Sequence, residues 1–311
     1  MEMNMALAEL TGHECMAQGR LVPAELIGPL VESTQEAGQP AVLRQRLADD
    51  GYLFLRGVVP RLDILAARQE VFERLAGVGE IRQPAAEGIA TGESHRRDLG
   101  DLGAFWKSVS EGPLLRKVSH GENIRQLMDN LLDAPARPHD YMFLRPGVVH
   151  RSTRLHYDYP FFARGSQSVY TVWLALGDVP VEEGPLMVAE GSTRFADLID
   201  GVRTIDYDSA MSPTVQVMGD TVEFVRSRGC QLLTANFAAG DLVVFNMFCM
   251  HGTLDNQSAL GRVRLSCDVR WQPAADPLDE RYFGANPRGT TGLGYGELNG
   301  AKPLTEDWHT R

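Results

Sequence analysis

The sequence predicts a mainly β protein with flanking helices, in which the helices come first and a double β-sheet follows. Short β-rich runs separated by turn residues succeed one another between residues 138 and 275, as in a sandwich or barrel. Strands and helices do not alternate there, which argues against a doubly wound parallel sheet. We expect one domain, with a helical part over 1–135, a β core over 138–275 and a C-terminal loop region over 276–311.

The first part of the chain shows helical periodicity. Apolar residues recur at helical spacing over 60–75 and 114–132, and residues 40–48 are expected to form a further helix. A short strand is expected over 52–55, where turn residues flank an apolar run. The predicted strands of the β core span 141–144, 169–176, 185–188, 214–218, 221–224, 230–234, 242–248 and 263–271.

Composition narrows the class of protein. The 311 residues carry a formal net charge of −11 and no basic run, so no nucleic-acid partner is expected. No apolar stretch has the ~20 residues of a membrane helix. Residues 1–18 hold acids and no Lys or Arg, which argues against a signal peptide.

Four cysteines without paired spacing predict reduced thiols in a cytoplasmic protein and offer no zinc motif. The absence of GxGxxG and G-K-[ST] loops argues against Rossmann and P-loop chemistry.

His156 and Asp158 are the first candidate metal ligands. They stand two apart, so on an extended strand an imidazole and a carboxylate point at one spot. His251, after the apolar run 242–248, is the best candidate for a third ligand. Two His and one carboxylate on one side of a metal, with the other positions open, hold Fe(II) in non-haem oxygenases. Taken alone, the His-x-Asp pair is explained equally well by a structural His beside a surface Asp.

Two arginines on the next predicted strand strengthen the metal hypothesis. Arg262 and Arg264 are two apart, so both are expected to face the cavity, and Ser266 shares that face. A guanidinium pairs bidentately with a carboxylate. Such a group is what a buried oxo-acid cosubstrate needs at the end away from the metal.

In this order, the motifs resemble the Fe(II)/2-oxoglutarate oxygenases of the phytanoyl-CoA hydroxylase type. The resemblance covers residues 48–285, and the ordered set is specific although each piece alone is not. It includes the entry from helix to strand, the first metal motif, the strand and turn after it, the approach to the distal His, and the closing strand. These stretches are 50–57, 153–158, 173–176, 183–186, 240–245 and 264–273.

The resemblance implies a double-stranded β-helix, the jelly roll of cupin-like proteins, with Fe(II) held by His156, Asp158 and His251. It also implies that 2-oxoglutarate and O2 are cosubstrates and that 2-oxoglutarate is decarboxylated to succinate and CO2. Hydroxylation is the default outcome, while desaturation, epimerisation and cyclisation stay open. Asp158 stands where related halogenases have Gly or Ala, so halide ligation is not expected.

The clamp for 2-oxoglutarate is either Arg262 or Arg264. Arg262 lies 11 residues after His251, a common family offset, whereas counting back from the Arg270–Trp271 pair of the closing strand selects Arg264. Strand pairing sets register and a loop can lengthen, so Arg264 is the preferred clamp, with Ser266 as its helper.

Further residues near the motifs are assigned by position. Trp173 and Thr171 share a strand face and are expected to help bind 2-oxoglutarate, as is Thr253, two residues after His251. For Trp173 a place in the core is an equally good explanation, and for Thr253 a structural role is. Four aromatic residues around the metal motif are expected to line part of a substrate cavity, with core packing as the alternative. They are Tyr157, Tyr159, Phe161 and Phe162.

The sequence therefore predicts an Fe(II)/2-oxoglutarate-dependent dioxygenase that hydroxylates a small organic molecule such as a secondary metabolite. A non-catalytic jelly-roll binding protein is the alternative from another class. The acidic, lysine-poor chain disfavours a coenzyme-A ester, which would need a basic patch for its phosphates. The substrate and the oligomeric state stay open.

Overall fold

A computed structural model describes residue 10, residues 12–207 and residues 220–306. The predicted strand over 214–218 lies outside these residues. The described helices are α1 Pro40–Asp50, α2 Arg61–Gly77, α3 Leu102–Ser110, α4 Pro113–Ser119, α5 Glu122–Leu132, α6 Tyr159–Phe162, α7 Ala196–Val202 and α8 Thr221–Arg228. The described strands are β1 Cys15–Ala17, β2 Arg20–Val22, β3 Ile27–Pro29, β4 Tyr52–Leu55, β5 Ala136–Pro138, β6 Phe143–Gly147, β7 Tyr170–Ala175, β8 Leu186–Ala189, β9 Leu232–Thr234, β10 Leu242–Asn246, β11 His251–Thr253 and β12 Arg264–Pro273.

Two sheets form the β core, as the double-sheet prediction requires. The larger has the order β4-β10-β7-β12-β5, with β6 also paired to β12, and the smaller has the order β11-β8-β9-β3. Every pair in the larger sheet is antiparallel. Strand order differs from chain order because neighbouring strands come from distant parts of the sequence, as expected of a jelly roll.

The long strand β12 has one apolar face, which belongs to the core, and one polar face, which belongs to the site. Its residues alternate, so that Leu265, Cys267, Val269 and Trp271 join the large apolar cluster shared with the N-terminal helices. The alternate positions carry Arg264, Ser266, Asp268 and Arg270, which are also buried. Because successive side chains of a strand point to opposite faces, one face packs on the helices and the other presents polar groups between the sheets.

Helices cover the outer face of the larger sheet. Residues of α1, α2, α4 and α5 contribute to the same cluster as the apolar face of β12. The predicted helix over 114–132 is two helices, α4 and α5, with His120 and Gly121 between them. Among the described residues, no helix combines the length and the apolar character needed to span a bilayer.

One predicted strand was wrong: residues 221–224 belong to helix α8. The β-branched residues Thr221 and Val222 suggested a strand, but the Asp220 side chain accepts hydrogen bonds from the backbone N–H groups of Val222 and Glu223. Gly229 ends the helix with a left-handed φ of 62°. Caps at both ends outweigh the weak strand propensity of the residues between them.

The first 40 residues contribute more strand than their sequence suggested. β3 adds a parallel edge strand to the smaller sheet by pairing with β9, and β1 pairs with β2 in a separate ribbon. These strands are three residues long, too short for an alternating pattern to stand out.

Candidate active site

His156, Asp158 and His251 come together, although the sequence separates the second histidine from the first two. One potential ligand atom from each residue lies within 4.8 Å of the others. An isolated antiparallel bridge between His156 and His251 joins the two motifs. Asp158 is 2% exposed and His251 is 6% exposed, so the cluster is withdrawn from bulk water.

The hydrogen bonds of the two imidazoles favour metal binding. Nδ1 of His156 lies 2.8 Å from the Arg154 carbonyl, and Nδ1 of His251 lies 3.0 Å from the Cys249 carbonyl. Each Nδ1 must therefore carry the proton that it donates, which leaves Nε2 with a free lone pair. Burial lowers the pKa of His156 to about 4 and also lowers the pKa of His251, so both rings are neutral near pH 7.

Asp158 is held by two donors that the sequence did not connect with it. Thr171 Oγ1 donates to Oδ2 of Asp158 at 2.7 Å, so Thr171 contacts a candidate metal ligand. Nη2 of Arg270 donates to both carboxylate oxygens, at 3.2 Å to Oδ1 and 2.9 Å to Oδ2. Burial alone would raise the pKa of Asp158, but Arg270 and the two histidines lower it, and the carboxylate is ionised.

A cavity opens beside the histidines. Its lining includes His156, His251, Trp173, Thr253 and Arg264. Thr253 Oγ1 accepts the backbone N–H of Thr153 at 2.8 Å, so it also fixes the chain that enters the first metal motif. The Trp173 ring packs on Phe237 with ring centroids 4.8 Å apart. Three candidate cosubstrate residues therefore share one cavity with the histidines, whereas Thr171 bonds to Asp158 instead.

The structure separates the two candidate arginines. Arg264 is 2% exposed, lines the cavity and donates from Nη1 to Ser266 Oγ at 2.6 Å. The side chain of Arg262 is 45% exposed and pairs with Glu183 at 3.7 Å. The expectation that both arginines face the cavity was wrong, because β12 begins at Arg264 and Arg262 precedes the regular strand.

Arg264 lacks a carboxylate partner. Among the described residues, no Asp or Glu forms an ion pair with it, and its buried Nε has no hydrogen-bond acceptor. Burial lowers the pKa of Arg264 to about 10, so the group is still charged near pH 7. A buried guanidinium without an ion pair is costly, and the nearby Asp268, which lines the same cavity, offsets part of that cost.

The four aromatic residues near the metal motif differ in their burial and contacts. Tyr157 is in the core, where its hydroxyl donates to the Ser192 carbonyl at 2.9 Å, and Phe162 is buried against Arg270. Neither lines the described cavity, so packing was the better explanation for these two. Tyr159 and Phe161 are half-buried; Tyr159 stacks on Phe248 with ring centroids 4.8 Å apart.

Three charged residues at or near the cavity were not among the predicted site residues. Arg270 contacts Asp158, and Asp268 and Arg145 line the cavity with Arg264. Nε of Arg145 donates to Oδ2 of Asp268 at 2.9 Å. The available signal was the polar alternation of β12, in which Asp268 and Arg270 continue the face of Arg264 and Ser266.

Comparison with known protein families agrees with this geometry. Residues 47–263 match the family model described as phytanoyl-CoA dioxygenase, which is more than half of the chain. The chain belongs to the phytanoyl-CoA dioxygenase family. Membership confirms the resemblance predicted from the motifs, and the matched range includes both histidines and Asp158. The protein is accordingly a non-haem iron enzyme that depends on 2-oxoglutarate and O2.

Solved structures show the same fold in other members of this structural class. EctD from S. alaskensis in its apo form aligns with a TM-score of 0.53 and 16% identity, over 85% of this chain and 91% of that chain. EctD with 2-oxoglutarate and 5-hydroxyectoine aligns with a TM-score of 0.52 and 14% identity, over 84% and 86%. The non-haem α-ketoglutarate-dependent epimerase SnoN from nogalamycin biosynthesis aligns at 0.48 and 19%, over 80% and 92%.

The residues present fit the cofactor that the family requires. Two neutral imidazoles and one ionised carboxylate form the donor set of the facial triad, and none of the three ligands is a thiolate. The guanidinium of Arg264 lines the adjoining cavity, and its Nε has no hydrogen-bond acceptor, so the group could pair with a carboxylate.

Proposed function

We propose that this protein hydroxylates a small organic molecule, with His156, Asp158 and His251 as the ligands of Fe(II) and Arg264 as the clamp for 2-oxoglutarate. The observation that carries the proposal is the buried Arg264 guanidinium, which forms no ion pair among the described residues, leaves its Nε without an acceptor and lines the same cavity as both histidines. A dicarboxylic acid can satisfy the arginine with one end and reach the metal with the other.

The remaining cavity residues position this cosubstrate. Ser266 holds one nitrogen of Arg264 and thereby orients the guanidinium plane towards its ligand. Thr253 and Trp173 complete the wall, and Thr253 also keeps the strand of His251 against residue 153. Because these side chains are buried, water is excluded and the charge-assisted pair is stronger than it would be at the surface.

When bound, iron and 2-oxoglutarate would activate O2, which is the oxidant both for the decarboxylation of 2-oxoglutarate and for the removal of a hydrogen atom from the substrate. The neutral histidines and the ionised Asp158 need not lose a side-chain proton before they bind the metal. Hydroxylation is the proposed outcome, and desaturation, epimerisation or cyclisation would use the same residues. For the substrate, we propose a small molecule without a polyphosphate group.

Two measurements test the proposed function. Anaerobic addition of Fe(II) and 2-oxoglutarate should produce a weak visible charge-transfer band, and its absence would favour a non-catalytic binding protein. Screening small molecules for stimulated succinate release, followed by mass analysis of the product, should give a gain of one oxygen atom. A product that has lost two hydrogens would indicate desaturation or cyclisation instead of hydroxylation. A product of unchanged mass would indicate epimerisation.

We also propose that the enzyme works as a single domain in the cytoplasm. All four cysteines are free and buried, as expected for thiols kept in a reducing compartment. A disulfide in the native protein isolated from its cells with free thiols blocked would contradict the cytoplasmic location, and two separate unfolding transitions would contradict the single domain.

A further inference from the structure

Arg270 is buried at the centre of the β core, although its charge is expensive to remove from water. Its side chain is 1% exposed, and its guanidinium carbon lies 4.4 Å from the ring centroids of both Phe143 and Phe162. Phe143 comes from β6 and Phe162 from α6, the short helix that follows Asp158. Two aromatic faces stabilise the cation and limit its movement.

The donors to Asp158 are distributed unevenly between its two oxygens. Oδ2 accepts Thr171 Oγ1 at 2.7 Å and Arg270 Nη2 at 2.9 Å, whereas Oδ1 is 3.2 Å from the same Nη2. Oδ1 lies 3.8 Å from Nε2 of His156, the nitrogen that is free to bind a metal. The oxygen with fewer and weaker bonds is therefore the one beside the histidine.

We propose that Arg270 is a positioning residue for the metal site, because together with Thr171 it occupies Oδ2 of Asp158 and presents Oδ1 as the single carboxylate ligand. This inference rests on the proposed function and adds to it a residue that does not contact the metal. The register of β12 with β7, in which Arg270 pairs with Thr171, brings the two donors to the same carboxylate.

Two physical effects of Arg270 oppose each other. Its positive charge repels a metal cation, so removing it would tighten metal binding if repulsion were dominant. Its hydrogen bonds orient the carboxylate, so removing it would weaken metal binding if orientation were dominant. Groups that bond to a metal ligand commonly contribute ~10- to 100-fold to metal affinity. Since the two phenylalanines already hold the guanidinium in place, we expect orientation to dominate.

The test measures Co(II) affinity by chelator competition and the visible Co(II) absorption spectrum, both without turnover. Arg270→Met should weaken Co(II) binding ~10- to 100-fold, and Arg270→Lys should weaken it less. Thr171→Val should weaken Co(II) binding and alter the spectrum, because the carboxylate can then turn towards bidentate coordination. Thr171→Ser keeps the hydroxyl donor and should show the Co(II) affinity and spectrum of the wild type.

A matched control separates loss of orientation from loss of a buried arginine. Arg96 is also fully buried, pairs with Glu80, and lies 5.1 Å from the Phe105 ring centroid. It contacts other parts of the chain, including the Gly300 carbonyl. Arg96→Lys should lower the melting temperature and leave Co(II) affinity and spectrum unchanged.

The outcomes distinguish this inference from the proposed function. If the wild type binds Co(II) and the Arg270 and Thr171 variants bind it equally well with the same spectrum, this inference is overturned and the proposed function is unaffected. Tighter binding by Arg270→Met also overturns it, because repulsion would then dominate. If Arg270→Met does not fold, Arg270→Lys and the Thr171 pair decide. A wild type that binds neither Co(II) nor Fe(II) overturns the proposed function as well.

Discussion

His156 and His251 bond to each other through their backbones: each N–H donates to the carbonyl of the other, at 3.0 and 3.1 Å. This one bridge brings together two residues that are 95 positions apart and places their ring centroids 4.4 Å from each other. The metal site therefore depends on this bridge between the loop of His156 and the start of β11 as much as on the side chains themselves.

Replacing His156, Asp158 or His251 by alanine should abolish metal-dependent turnover of 2-oxoglutarate, because each change removes one of three protein ligands. Succinate release measures the turnover, and thermal unfolding reports whether the fold survives. His95→Ala is the control, since that side chain is 68% exposed and is not part of the triad. Full turnover in any triad variant would refute the ligand assignment.

Arg264→Ala should raise the KM for 2-oxoglutarate at least ~10-fold, because a buried charge-assisted pair contributes roughly 2–5 kcal/mol. Arg262→Ala should have a much smaller effect, since Arg262 is half-exposed and already pairs with Glu183. Steady-state kinetics on the two variants decide between them. If the order is reversed, Arg262 is the clamp and the family assignment is unaffected.

Gly252→Ala should destabilise the protein by about 1–3 kcal/mol and weaken metal binding. A Cβ at this position would stand 2.6 Å from the Thr153 carbonyl oxygen, so β11 would move away from the segment before His156. Gly201→Ala is the matched control, because a Cβ there meets no atom within 4 Å. Chemical unfolding and Co(II) titration measure the two effects. Equal behaviour of both variants would contradict the prediction.

Stability should fall on acidification because of His139. Burial lowers the pKa of His139 to about 3, so the folded protein keeps the ring neutral while the unfolded chain takes up a proton below pH ~6.5. The unfolded state binds more protons between these values, and the stabilisation present above pH ~6.5 is lost as the pH falls towards 3, by up to ~1.4 kcal/mol per pH unit.

Urea unfolding of the metal-free protein at several pH values measures this dependence. His139→Gln removes the titrating group and should make the slope shallower between pH ~4 and ~6. His120, whose pKa burial also lowers to about 3, should maintain a slope of the same sign in that variant. An unchanged slope in His139→Gln would show that this ring is protonated equally in both states.

Local patterns in the sequence were sufficient to predict the triad. The spacing of His156 and Asp158 selected the right pair, but the predicted shared strand face was wrong. His156 forms only an isolated bridge, and Asp158 has helical dihedral angles (φ −78°, ψ −20°) at the start of α6. His251 was selected because it follows the apolar run over 242–248. The preference for Arg264 over Arg262 depended on counting along a paired strand rather than through a loop. In the structure Arg264 opens β12 and Arg262 lies before it, while the choice of clamp stays a prediction.

Residue roles that depend on two segments were predicted less well. The sequence did not indicate that Thr171 bonds to Asp158 or that Phe162 covers Arg270. The strand predicted over 221–224 became a helix because caps outside that window decided its conformation. In each case a partner elsewhere in the chain determined the result.

The sequence by itself determined the double-sheet fold class, the family and the three metal-binding candidates, because strand alternation and motif order are local properties. Only the tertiary structure decided which arginine is buried without an ion pair among the described residues and which one donates hydrogen bonds to Asp158. Those two outcomes follow from the register of β12 against β6 and β7 and from the way α6 closes over Arg270. Register is a property of paired strands, and a single strand read alone does not contain it.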